Sequence, residues 1–181
     1  YGGTGGPEGQ IDAFLTRMLS LDRPTCKYVV LDAEDKDMPR YSLEGKRRLA
    51  RSLLHLDANL PPEYEVLIYS ARWWWDGWVG NDDVTLDNGQ RVIYARWPLW
   101  VADYGQNPPR LPLSGSWTSA LFTQYTSTGL IPGAGDPTID LNYTQLTVDQ
   151  LRAVQQPPTL TLEQRVANME AEARAHGWTL P

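Results

Sequence analysis

Cysteine is almost missing from this chain of 181 residues: Cys26 is the only one. That excludes an intrachain disulfide and any metal site built from several thiolates. Histidine is scarce as well, with His55 and His176 alone, each in an expected helix without a ligand pattern nearby. A Ser-His-Asp triad or a zinc centre has little support, and both read as surface or packing histidines. Positive charge is in deficit, 16 Lys and Arg against 22 Asp and Glu for a net charge of -6. A phosphate-binding surface needs clustered cations, so nucleic acid is not an expected partner. The one basic knot, Lys46-Arg47-Arg48, reads as the solvated face of a helix. No run approaches the roughly 20 apolar residues of a membrane span. The opening Tyr1-Gly2-Gly3-Thr4-Gly5-Gly6 has neither the charge nor the apolar core of a secretory signal. It also lacks the preceding strand and the Gly-Lys-Ser/Thr ending of a phosphate loop, so it reads as an entry loop.

What is present is a globular composition, 41% hydrophobic, with enough chain for one domain and a substantial core. Pro7 suits a first helical turn, and Ile11, Phe14, Leu15, Met18 and Leu19 recur at helical spacing before Pro24. The apolar run from Lys27 to Leu31 then ends in Asp32 and Glu34. A second helix is expected from Ser42 as N-cap to about Leu56, and a strand over Glu65 to Ser70. Helix, strand, helix, strand is the rhythm of a parallel α/β fold. Next, Val84-Thr85-Leu86 and Arg91-Val92-Ile93 flank Asp87-Asn88-Gly89-Gln90, a hairpin signal read as a surface insertion. Strands are expected over 99–102, 120–125 and 138–142, between Pro- and Gly-rich loops. After a linker over 147–160, Thr161 and Gln164 form a capping-box pattern. Leu162, Val166, Met169 and Ala173 then stripe a helix ending near Gly177, which either docks on the domain or pairs with another chain.

Carboxylates are the well-placed reactive groups. A run of consecutive apolar residues usually marks a strand buried on both faces, and active sites of such folds sit at the carboxyl ends of strands. On a strand Asp32 and Glu34 share a face with Tyr28 and Val30. Two neighbouring acids repel, which raises one pKa and keeps that group protonated. Glycosidic hydrolysis needs carboxyl groups and little else, so no metal or cofactor is expected. Eight tryptophans and nine tyrosines add flat rings that suit sugar faces or, equally, a core. Tyr69 and Trp100, at strand ends, are the stronger platform candidates.

Five segments in order carry a resemblance: Val30-Leu31-Asp32-Ala33-Glu34-Asp35, Leu67-Ile68-Tyr69-Ser70, Leu99-Trp100-Val101-Ala102-Asp103-Tyr104, Phe122-Thr123-Gln124-Tyr125-Thr126-Ser127-Thr128-Gly129 and Ile139-Asp140-Leu141-Asn142. Together they resemble the glycoside hydrolase family 25 lysozymes over residues 1–146. The resemblance implies an α/β, TIM-like modified barrel that cleaves the β-1,4 bond between N-acetylmuramic acid and N-acetylglucosamine in bacterial peptidoglycan. It implies Glu34 as general acid, Asp32 as stabilising or orienting partner, and Asp140 as a further acid on the last strand. Tyr69, Trp100 and Gln124 match positions lining the sugar groove. The family pattern opens with a strand carrying Asp-x-Ser-x-x-Gln, which this sequence does not contain. The barrel is therefore expected to be N-terminally incomplete. A longer or split lysin of phage derivation, completion by a second chain, and a degenerate homologue used for wall binding or assembly are the readings of that gap. The expected place of action is the bacterial cell wall.

Overall fold

The computed structural model describes residues 6–20, 26–34, 37–106, 110–130 and 139–155. The helix expected over 161–177, His176 included, lies outside the described residues.

Helix α1 (Pro7–Leu19) starts on a proline, with Glu8 in its first turn and Arg17 in its last, charges that complement the helix dipole. Ile11 and Leu15, one turn apart, are its buried positions. Helix α2 (Leu43–Asn59) is capped by Ser42, whose Oγ accepts the Gly45 N–H at 3.2 Å. It buries Leu49, Ala50, Leu53 and Leu56, each leucine contributing about 2 kcal/mol of transfer free energy. His55 sits in this helix with Nε2 2.6 Å from Asp12 Oδ1 of α1, a packing histidine that ties the two helices.

The main sheet runs β1 (Tyr28–Asp32), β2 (Glu65–Ala71), β5 (Leu99–Ala102), β6 (Phe122–Gly129) and β7 (Ile139–Thr144) in that spatial order. The first four are parallel and β7 is antiparallel to β6. The result is an open half-barrel with β1 and β7 as its edges among the described residues. The expectation that β1 is buried on both faces does not hold. Val29 is 5% exposed, but Val30, on the concave face, is 41% exposed, because nothing described packs over that side.

Between β2 and β5 lie the single turn α3 (Arg72–Trp74), a π-turn (Trp75–Val79) and the hairpin β3 (Asp83–Thr85) with β4 (Arg91–Ile93). Gly89 takes the left-handed conformation that the Asn88-Gly89 turn requires, at φ 83°. The hairpin is more than a surface insertion, since Val84, Leu86 and Val92 are buried in the core. It also absorbs the basic knot. Lys46 is 8% exposed and donates from Nζ to Asn81 Oδ1 at 3.3 Å, while Arg47 pairs with Asp87 at 2.5 Å and donates to the Thr85 carbonyl. Of the three cations only Arg48 has the solvated character expected of the knot. The stretch expected as a linker begins with a helix, α4 (Val148–Gln155), where Thr147 and Gln150 exchange capping-box hydrogen bonds.

Candidate active site

The register of the sheet lines up one row of residues across all five strands: Asp32, Tyr69, Trp100, Phe122 and Thr144. Two residues further along, Ala71, Ala102, Gln124 and Asn142 form a second row on the same face. Gln124 is among the expected site residues, but the sequence marks Ala71 and Ala102 only as small residues in Tyr-Ser-Ala and Trp-Val-Ala, too little to single them out.

Glu34 joins this second row by an exchange of hydrogen bonds. The Ala33 N–H still donates to the Tyr69 carbonyl at 2.8 Å. In a continuing parallel ladder the Ala71 N–H would donate to the Ala33 carbonyl. Instead it donates to Glu34 Oε1 at 2.6 Å, and the Ala33 carbonyl accepts the Ser70 hydroxyl at 3.0 Å. Glu34 therefore lies just past the end of β1 rather than within it, and its carboxylate stands in for a main-chain acceptor. Asp32 occupies the last position of β1, where desolvation by the surrounding protein raises its pKa above the ordinary carboxylate range.

Tyr69 links the acid side to the middle of the sheet. Its hydroxyl donates to Gln124 Oε1 at 2.5 Å, and its ring meets Trp100 edge-on at 5.3 Å. Burial foremost, then the charge of Glu34 and the presence of Tyr104 and Asp32, push the phenol pKa far above its usual value, so Tyr69 remains a neutral donor. Trp100 in turn donates from Nε1 to Asn142 Oδ1 at 2.9 Å. Phe122 sits 5.8 Å from Trp100 and 6.4 Å from Tyr28, extending an aromatic floor along the concave face.

All six expected site residues thus share this face, five of them through direct contacts or neighbouring register positions, while Asp140 is separated from them along the sheet. β7 is regular where β6 bulges, so Asp140 keeps the face of Asn142. It is exposed at the far edge, four strand spacings or roughly 19 Å of sheet from β1.

Four of the seven described tryptophans are core. Trp74, Trp75, Trp97 and Trp117 are buried, whereas Trp73 is 56% exposed. A further pair went unnoticed in the sequence because its two members flank a loop. Asp103, 8% exposed at the end of β5, accepts the Arg110 backbone N–H at 2.9 Å and both arms of its guanidinium at 3.0 and 3.1 Å. Burial pushes the Asp103 pKa up, but these bonds and the arginine charge outweigh it and hold the carboxyl below the usual range. Among the described residues no His/Cys/Asp/Glu cluster suits a metal ion.

An open α/β half-barrel with acids and edge-on aromatics at the carboxyl ends of parallel strands has the architecture of a carboxylate-based carbohydrate enzyme. The family model described as glycosyl hydrolases family 25 matches residues 2–134, and the chain belongs to that family. No curated protein matches the sequence. Among solved structures, the bacterial lysozyme from Streptomyces coelicolor is similar at 19% identity and a TM-score of 0.57, over 83% of this chain and 66% of its own. The Clostridium perfringens spore cortex lytic enzyme SleM matches at 20% and 0.58, over 79% and 46%. A family 25 glycosyl hydrolase from Bacillus anthracis matches at 16% and 0.57, over 84% and 64%. At these identities the likeness establishes the fold, and the chain spans at most 66% of the length of these three structures.

Proposed function

We propose that this chain is the catalytic part of a peptidoglycan hydrolase that cleaves the β-1,4 bond between N-acetylmuramic acid and N-acetylglucosamine. The observation that carries this reading is the placement of Asp32 and Glu34 beside the Tyr69–Trp100 pair, with Glu34 anchored on the Ala71 N–H. The family match and the lysozyme and lytic-enzyme neighbours support the substrate class. Glu34 protonates the leaving glycosidic oxygen. Asp32, whose ionised form is disfavoured by partial desolvation at the end of β1, is relieved when positive charge develops at the sugar carbon or when it accepts a hydrogen bond from the acetamido group. Such an interaction strengthens in the transition state, which lowers the barrier. Tyr69 and Trp100 hold the sugar against the concave face, Gln124 orients the Tyr69 hydroxyl from beneath, and Asp140 supplies a further acid from β7.

The edge of β1, unpaired among the described residues, and the apolar groove beside it, about 710 Å³ and bounded by Ile11, Phe14, Val30, Leu49 and Leu56, suit one more strand. A preceding segment of the polypeptide or a second chain would supply it, walling in the acids.

Release of reducing ends from purified peptidoglycan tests the reading. The parent should release them, and Glu34→Gln should not, with an unchanged circular dichroism spectrum. A fully active Glu34→Gln variant overturns the assignment. A parent that binds wall without cleaving it supports the alternative of a binding or assembly module.

A further inference from the structure

The segments leaving the carboxyl ends of β1 and β2 meet in an aromatic ridge that the proposed chemistry does not use. The π-turn Trp75–Val79 presents the Trp78 ring to three neighbours. Arg40 stacks over it with Cζ 4.2 Å from the ring centre. Trp74 lies parallel to it at 6.3 Å, and Trp73 meets it edge-on at 5.8 Å. Trp73 is 56% and Tyr41 57% exposed, so two large rings face solvent beside a cation.

The fold accepts strain to hold this ridge. Tyr41 adopts a left-handed backbone at φ 56°, where a bulky residue is disfavoured. Its N–H donates to the Trp78 carbonyl at 2.7 Å and its hydroxyl to the Asp76 carbonyl at 3.2 Å. Opposite it, Gly80 is also left-handed at φ 63°, and a Cβ there would collide with the Tyr41 ring. The strained Tyr41 and the glycine that makes room for its ring therefore fit the Tyr41 loop onto the π-turn.

Charge and position indicate the occupant. Among the described residues Arg40 makes no ion pair with a carboxylate, although the chain carries a net charge of -6. Stacked on Trp78, its planar fork is pre-organised for a carboxylate. Trp73 lies two residues beyond Ala71, whose N–H holds Glu34, so the ridge begins where the row of site residues ends on β2. We propose that Trp73 and the Arg40–Trp78 stack form a second binding surface, continuous with the candidate active site, for an anionic wall glycan. A pyranose face rests on Trp73, and a carboxylate borne by the polymer reaches Arg40. This rests on the wall-hydrolase reading for its substrate class.

The test is sedimentation with insoluble peptidoglycan in the Glu34→Gln background, which removes turnover, alongside binding of a neutral chitin oligosaccharide. Trp73→Ala should weaken binding of both ligands by about tenfold, as loss of an exposed aromatic anchor does. Arg40→Gln should weaken peptidoglycan binding alone. With Glu34 restored, both variants should raise KM for peptidoglycan with little change in kcat. If the parent cleaves the wall and both variants match it in binding and KM, the ridge is overturned while the hydrolase reading stands. If the parent cleaves nothing yet Trp73→Ala loses wall binding, the ridge stands and the hydrolase reading falls. A parent that neither binds nor cleaves overturns both.

Discussion

At one edge of the sheet β1 delivers Asp32 and Glu34 into a parallel corner tied to the main chain. At the other, β7 carries Asp140 on an exposed antiparallel strand opposite a β6 that bulges twice. The first edge has an apolar backing of Val29 and the α2 leucines, and its ladder is regular up to the point where Glu34 replaces a carbonyl. Position there is fixed to hydrogen-bond tolerance. The second edge contributes shape instead: its Asn142 accepts the Trp100 indole N–H, and Gln124, on the bulged strand, accepts the Tyr69 hydroxyl. The difference separates an acid held by a main-chain hydrogen bond from one placed on the same face at a distance.

The sharpest way to break that contrast is to remove each acid in turn. Glu34→Gln should lower kcat on peptidoglycan by about 10³-fold, within the range for losing a general acid, while Asp140→Asn should lower it by about tenfold. The glutamine carbonyl still accepts the Ala71 N–H, so thermal melting should move little. Equal losses in the two variants would erase the distinction between the edges. The next largest effect concerns the loop after β5. Asp103→Asn removes the charge that Arg110 clasps and should cost about 2 kcal/mol of unfolding free energy at neutral pH. Because the native Asp103 pKa is lowered, its contribution is present above the unfolded carboxylate pKa. It is lost as pH falls through the native value, so urea titrations of variant and parent should converge in acid. Tyr69→Phe comes after it. The change deprives Gln124, 3% exposed, of its 2.5 Å donor and should cost about 1 kcal/mol, with KM for peptidoglycan rising as the bridge between the two sides is cut.

Much of this layout is legible in the sequence because it depends on local patterns. Periodicity marks α1 and α2, Ser42 announces its cap, Asn88-Gly89 announces its hairpin, and the acids at the end of an apolar run mark the candidate site. What is hidden depends on partners far along the chain. Val30 reads as buried because Val29 and Leu31 are apolar, yet its exposure is decided by the absence of a described strand beyond β1. Lys46 reads as solvated until Asn81, 35 residues away, and the hairpin close over it. Ala71 and Ala102 carry no signal of their own; only the parallel register sets them between Glu34 and Gln124. The tryptophans separate the same way, since Trp73 and Trp74 are adjacent in sequence and opposite in exposure, a distinction made by the tight turn that follows β2.

The smallest expected effect probes the β1 corner itself and has the opposite sign to that of Asp103. Desolvation raises the native pKa of Asp32 above its unfolded value, so the folded chain binds its proton more tightly than the unfolded chain does. Stability then falls as pH rises from the unfolded carboxylate pKa through the raised native one. Asp32→Asn removes that penalty. Above the native pKa the variant should be more stable than the parent by less than about 1 kcal/mol, the group being partly exposed and screened, and below the unfolded pKa the difference should vanish. On the proposed mechanism the same variant should lose activity on peptidoglycan, because it removes the carboxylate assigned to the developing positive charge. Parallel urea titrations and reducing-end assays across the acid range check both halves. An Asp32→Asn variant that is destabilised at neutral pH would show Asp32 to be a structural acid and leave Glu34 alone in the corner.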